Sequence, residues 1–328
     1  MLSGRPLLAT EADRRYLIPR RETDSIVRDA RRGMNVLVLG ERGIGKTTLL
    51  REVSNQLSAD GAAVVYLDGH ALDTSSLEIM RAVDDAIGGG SLAVAIARRA
   101  RPRISDMPAE LRVEEAHQII RRLAAAHRER TVFILLDDPS PGRTFALFGR
   151  FRDELWQTGL IWIVSGDIHR RHEYAKPPAD VFFDRTVEIA PFDQAQQLEL
   201  VRRRLSDGDD GSLLGVTVES GNPRALLTAV RDALAQGGDL GSVLADRARR
   251  QRRADGLGRV ESMVLAELED GSEVSAADAE WLDRLGVSRQ RAQQALAKLE
   301  TSGLVRSDQV RGPTGRPRKV YRRLGPTQ

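Results

Sequence analysis

A chain of 328 residues with 41% hydrophobic content is long enough for two or three domains and apolar enough to fold, which excludes global disorder. Cysteine is absent, so disulfides and thiol chemistry are excluded, and no apolar run approaches the roughly 18 residues of a membrane span. Net charge is only +3, but residues 284–328 hold 11 Lys+Arg against 2 Asp+Glu, a local +9 that leaves −6 for the rest. Such polarity suits an end that meets a polyanion, with a solvated basic tail as the plainer reading. The first residues, Met1-Leu2-Ser3-Gly4-Arg5-Pro6, lack the apolar core of a signal peptide, so a cytoplasmic protein is expected.

Along the chain, 1–33 is polar and Arg-rich with one helical stretch at 23–32. Strand-like runs recur at 36–39, 63–67, 132–136, 161–164 and 186–189, separated by helical patterns at 47–58, 75–87, 110–127 and 144–156. Strands alternating with helices mean a parallel sheet covered on both faces, and the unalternating runs at 36–39 and 133–136 suit its centre. The Gly- and Arg-rich segment 88–108 breaks the rhythm and reads as a flexible insertion, with a DNA- or subunit-contacting loop as the alternative. After residue 189 the strands stop. Stretches 194–205, 212–218 and 223–236 read as a small helical domain, followed by a basic linker over 247–253. The expected division is therefore an α/β core over 1–191, a helical lid and linker over 192–254, and a C-terminal domain over 255–328.

The run Val36-Leu37-Val38-Leu39 leads directly into Gly40-Glu41-Arg42-Gly43-Ile44-Gly45-Lys46-Thr47, which fits G-x-x-x-x-G-K-[ST] between a strand and a helix. Glycines let successive N–H groups turn toward phosphates, and the helix N-terminus adds partial positive charge. Lys46 can reach the β- and γ-phosphates, the Thr47 hydroxyl can hold Mg²⁺, and Thr48 completes the expected ATP/ADP-binding set. A second motif, Thr131 to Asp138, is an apolar strand ending in paired carboxylates. Asp137 is expected to complete the Mg²⁺ shell, and Asp138 to orient or deprotonate an attacking water. Ser165 ends another apolar strand, where a hydroxyl can bond the γ-phosphate or the lytic water; a serine before glycine is also ordinary turn chemistry.

Order, spacing and flanks of these stretches resemble the AAA+ ATPases, in the initiator-type branch that includes origin-recognition and archaeal initiator ATPases, overlapping with the STAND signalling NTPases. The resemblance rests on Ile18-Pro19-Arg20-Arg21-Glu22, the phosphate loop, the Leu135-Leu136-Asp137-Asp138 strand end and Gly221-Asn222-Pro223-Arg224-Ala225-Leu226. It implies a P-loop core with a helical lid, ATP hydrolysis and assembly of an ATP-dependent oligomer. It also implies that Arg224 contacts the γ-phosphate from the lid and that an arginine acts on a neighbouring subunit. Arg185 is the candidate for that arginine, with Arg170 and Arg171 as competitors. Asp138 stands where many AAA+ enzymes have glutamate, as in many STAND proteins. The shorter carboxylate points toward slow hydrolysis and switch-like use of ATP.

In the C-terminal part, 258–268, 275–285 and 288–302 read as three helices, with Ser288 able to cap the third. That helix buries Ala292, Ala295, Leu296 and Leu299 and presents Arg289, Gln290, Gln293, Gln294 and Lys298, the helix-turn-helix arrangement for major-groove contact. Arginine can read guanine there and glutamine adenine. Residues 303–305 and 319–322 then frame a basic Pro/Gly hairpin carrying Arg311, Arg316, Arg318 and Lys319, which resembles the wing of bacterial winged-helix regulators and suits phosphate or minor-groove contact. The five histidines form no convincing metal set. The expected function is an ATP-dependent double-stranded-DNA binder. Two alternatives remain: a STAND-like switch or transcription regulator with little hydrolysis, and a matchmaker for a transposase or defence nuclease that acts through a protein partner.

Overall fold

The computed structural model describes residues 5–8, 10–69, 75–87, 101–126, 131–174, 176–205, 217–235, 257–268, 273–311 and 317–323. Most of the basic insertion, the linker over 247–253, Arg316 and two histidines, His70 and His127, lie outside them. The chain divides into two compact units: Met1–Asp209 with Thr217–Leu227, and Asp210–Val216 with Thr228–Gln328. The helix Gln194–Arg204 therefore groups with the sheet, although the sequence placed a domain border before it. Of the helix expected over 212–218, only 217 and 218 are described, and they are coil.

The first unit holds one five-stranded sheet of β1 (Val36–Gly40), β2 (Ala63–Asp68), β3 (Val132–Asp137), β4 (Leu160–Asp167) and β5 (Arg185–Glu188). Its order is β2-β3-β4-β1-β5 and every pairing is parallel, so all strands end at one rim. Register sets Gly40 opposite Asp167 and Asp68 opposite Asp137 on that rim. The unalternating strands follow from burial on both faces. Val36, Val38, Phe133, Leu135 and Ile163 point into one core against helices Arg21–Arg31 and Lys46–Ala59. Leu37, Leu39, Ile134, Leu136 and Trp162 point into the other against Ser76–Ile87, Ala109–Ala126 and Pro141–Arg150. Successive residues alternate faces.

The helix expected over 144–156 is instead two, Pro141–Arg150 and Arg152–Leu155. Pro141 begins the first, its fixed φ suiting a first-turn position, and Phe151 breaks the run at φ −106°, ψ 18°. Among the described residues no helix is long and apolar enough to cross a membrane.

The second unit places helices Arg259–Glu267, Ala279–Leu285 and Arg289–Thr301 before an antiparallel hairpin, β6 (Val305–Arg311) and β7 (Pro317–Arg323). Val264, Leu268, Trp281, Leu285, Leu296 and Leu299 form its core. The helix expected over 275–285 starts only at Ala279. Val274 exchanges backbone hydrogen bonds with Tyr321 (3.0 and 2.8 Å), the Ser275 hydroxyl donates to Lys319 O at 2.8 Å, and Asp278 caps the late start. One bridging residue pair and the Ser275 bond thus stand where the first helical turn was expected.

Candidate nucleotide site and nucleic-acid face

The phosphate loop leaves β1 at Gly40 and enters the helix Lys46–Ala59 through Gly45. Gly43 (φ +82°) and Gly45 (φ +106°) hold left-handed conformations that favour glycine. A Cβ on Gly43 would also lie 2.9 Å from both Asn222 Oδ1 and Arg224 Cβ. Free N–H groups of the helix's first turn open toward the loop, the arrangement that binds anions. Lys46, only 8% exposed, donates through Nζ to Gly40 O at 3.0 Å and Glu41 O at 3.3 Å, so its ammonium lies across the loop.

Two further groups brace the loop. Arg20 donates through its guanidinium to Ile44 O and to Ala190 O just beyond β5, both at 2.7 Å, and stacks 4.1 Å from the Phe192 ring centroid. Burial pulls its pKa down to about 10, which leaves it cationic at neutral pH. Glu22 accepts from Ala190 N at 2.9 Å. Sequence reading gave Arg20 and Glu22 no role beyond the resemblance, because their shared partner Ala190 lies about 170 residues away in the chain.

Asp137 ends β3 and is 6% exposed. Its Oδ1 accepts from the Ser165 hydroxyl and its Oδ2 from the Tyr66 hydroxyl, each at 2.7 Å. Ser165 Oγ also accepts from Asp138 N at 2.9 Å. Ser165 is fully buried, and its proton is committed to Asp137. In this arrangement the Ser165 hydroxyl is held between Asp137 and Asp138 N, a position from which it braces both carboxylate residues. Burial first, then the charge of Asp137, pushes the Tyr66 phenol far above its ordinary pKa, so it stays a proton donor. Sequence reading missed Tyr66; the signal available was a polar aromatic within the apolar strand-like run 63–67.

A buried carboxylate whose hydrogen-bond donors are two neutral hydroxyls fits a cation as a further partner. Thr47, on the first turn of its helix, supplies a hydroxyl of the type Mg²⁺ takes beside phosphate oxygens. Among the described residues no group of three or more His, Asp or Glu could hold a metal without such help. Asp138, at φ +53°, is the one non-glycine with positive φ among the described residues. Aspartate tolerates that conformation at a cost of about 1 kcal/mol or more. Tyr174 fixes the turn behind it, donating to Pro139 O at 2.9 Å.

Asn222 and Arg224 come to the loop. Asn222 Nδ2 donates to Arg42 O at 2.9 Å, while its Oδ1 accepts from Arg224 N (3.1 Å) and Ala225 N (3.3 Å), capping the helix Pro223–Ala235. Arg185 does not come to it. It opens β5 opposite Val36, at the far rim from Gly40, and its Nε lies 3.3 Å from Asp29 Oδ2. Arg170 pairs with Glu173 at 2.9 Å, and Arg171 with Glu188.

On the helix Arg289–Thr301, Arg289, Gln290, Gln293 and Gln294 are exposed as expected. The two lysines of the expected DNA face are engaged elsewhere. Lys298 pairs with Glu261 at 3.1 Å and Lys319 with Glu300 at 2.8 Å, ion pairs that tie neighbouring elements to this helix. Lys319, with the Ser307 hydroxyl, holds the Glu300 carboxyl below its ordinary range. Arg318 is exposed on β7, and Arg311 ends β6.

Residues 20–161 match the family model described as AAA ATPase domain. No curated protein sequence matches the chain. In fold it is similar to the ORC1 protein of Aeropyrum pernix, solved in complex with DNA: TM-score 0.51 and 19% identity over 93% of this chain and 89% of that one. It is likewise similar to Cdc6p of Pyrobaculum aerophilum, with TM-score 0.50 and 15% identity over 97% and 92%.

Proposed function

The chain carries an AAA ATPase domain of the AAA+ P-loop NTPase fold, and from that premise we propose that it is a cytoplasmic, nucleoid-associated ATPase whose nucleotide state controls self-assembly and engagement of duplex DNA. The observation that carries this reading is the seat of Asn222 and Arg224 on the phosphate loop. A group bound by the loop acts on the start of the helix Pro223–Ala235, and the chain beyond that helix leads to the basic C-terminal end. There the order of helix, bridging strand, two helices and hairpin supports a winged helix. The DNA bound to the Aeropyrum pernix ORC1 protein supports the choice of ligand.

In this reading the backbone from Gly40 to Thr48 and the Lys46 ammonium bind the phosphates. Thr47 and Asp137 would hold Mg²⁺, which supplies charge neutralisation at the β- and γ-oxygens. Asp138 orients or deprotonates the water, Arg224 meets the γ-phosphate, and Ser165 keeps the two carboxylate residues in place. Arg185 enters only as a residue offered to a second copy. The test is mass photometry and duplex affinity with ATP, with ADP and without nucleotide. Identical masses and affinities in all three conditions would sink the proposal.

One observation favours a second reading, a switch with little hydrolysis. Asp138 is a short carboxylate, on a left-handed backbone whose N–H is held by Ser165. Turnover that DNA accelerates and Arg185→Ala removes favours the assembling ATPase; slow turnover indifferent to both favours the switch.

A further inference from the structure

The helix Arg289–Thr301 buries Ala292, Ala295, Leu296 and Leu299, spaced i, i+3, i+4, i+7. The opposite face is therefore the set Gln290, Gln294, Ala297 and Thr301, at i, i+4, i+7 and i+11, and all four are exposed. That stripe is uncharged. The charges sit on its flanks: Arg291 and Lys298 share one side, where Lys298 reaches Glu261, and Arg289 shares the other with Glu300, which meets Lys319 and Ser307. A helix gripping only phosphates would present its cations outermost. Here neutral groups that match base edges are outermost, and Arg289 and Arg291 lie to either side of them, the placement that suits phosphate contact.

We propose that this stripe reads A·T base pairs in the major groove, so that the chain is a sequence-selective rather than a general duplex binder. The inference rests on the DNA-binding reading above. The occupant is argued from charge: residues 284–328 carry +9, complementary to a duplex. Glutamine offers a bidentate partner to adenine N6 and N7, and an exposed alanine methyl suits the thymine C5-methyl. Gln290 and Gln294 lie in the first two turns, the part of a recognition helix that meets base edges. Neither arginine is on the outermost line, so the paired contact of arginine with guanine is not the leading interaction.

The experiment is selection of bound duplexes from a randomised pool by the full-length chain, followed by anisotropy titrations of the enriched and scrambled duplexes over a range of salt. Enriched duplexes should share A·T pairs, preferred over G·C at those positions by about 5- to 150-fold. Gln290→Ala and Gln294→Ala should each flatten preference at one position, costing the enriched duplex more than the scrambled one, with the salt slope set by the remaining phosphate contacts. Arg291→Ala should weaken every duplex alike and lower the salt slope by about one. Duplex binding without base preference, enrichment of G·C, or preference that survives the double glutamine variant would overturn the inference and leave the DNA-binding reading standing. Failure to bind any duplex at low salt would overturn both.

Discussion

The two units hold their candidate functional groups in opposite ways. In the nucleotide unit three of the candidate groups are buried and hydrogen-bonded: Lys46 on loop carbonyls, Asp137 between two hydroxyls, Asn222 on Arg42 O. In the C-terminal unit they stand exposed, held at most by surface ion pairs such as Lys298–Glu261. A buried, hydrogen-bonded group is preorganised for one ligand geometry, and removing any partner strands another at a cost of about 1–3 kcal/mol. An exposed pair contributes about 0–1 kcal/mol and is screened by salt, so its groups can exchange partners. Substitutions should therefore act on fold and chemistry together in the first unit, and on affinity alone in the second.

The largest expected effect tests the first half of that contrast. Lys46→Ala removes the loop's ammonium and should abolish ATP binding in isothermal titration; retained affinity would remove the nucleotide assignment. Next comes Gly43→Ala. The new Cβ needs a left-handed φ and lies 2.9 Å from both Asn222 Oδ1 and Arg224 Cβ. Nucleotide affinity should fall at least tenfold and thermal stability with it, since strain at such a position costs about 1–3 kcal/mol. An unchanged protein would mean that the Asn222 contact is not fixed.

A subtler pair sharpens the comparison. Ser165→Ala leaves Asp137 Oδ1 and Asp138 N without their partner, and Tyr66→Phe leaves Asp137 Oδ2 without its donor. Each should cost about 1–3 kcal/mol of stability and raise the Mg²⁺ concentration needed for tight ATP binding several-fold. Affinity measured with a chelator present should not move. Loss of affinity in the chelator as well would show that these hydroxyls support the loop rather than Asp137.

What could be read from sequence follows the same division by range of contact. The phosphate loop was legible because strand, turn and helix start are consecutive residues, and Asp137 because it ends an apolar run. The committed state of Ser165 was not, since it depends on β3 and β4 aligning so that two strand ends share one hydrogen. Tyr66 required the same knowledge of β2. On the helix Arg289–Thr301 periodicity gave exposure, but the ion pairs of Lys298 with Glu261 and of Lys319 on β7 with Glu300 were not legible, because those carboxylates approach only in the folded unit. The late start at Ala279 has the same origin: Val274 found a strand partner 47 residues on, in Tyr321.

The smallest effect separates the two kinds of engagement by pH. Glu300 is held below its ordinary pKa, first by Lys319 and then by Ser307. A carboxylate with a depressed folded pKa contributes stability that is present above its unfolded value, near 4.5, and lost as pH falls through the folded one. Glu300→Gln should therefore lower the melting of the second unit slightly at pH 7, by the contribution of one surface pair, and flatten its decline below about pH 4.5 by the same amount. High salt should flatten the wild-type decline in the same way, because the pair lies at the surface with Lys319 exposed and Glu300 half-buried. Tyr66 behaves in the contrary sense. Its pKa is raised by burial and by Asp137, so its contribution is complete below about pH 10 and is lost in alkali, and its burial should make that loss far less sensitive to salt. Acid melts of Glu300→Gln and alkaline melts of Tyr66→Phe, each at low and high salt, would show whether exposure or burial governs each unit's response; equal salt sensitivity in both would collapse the distinction.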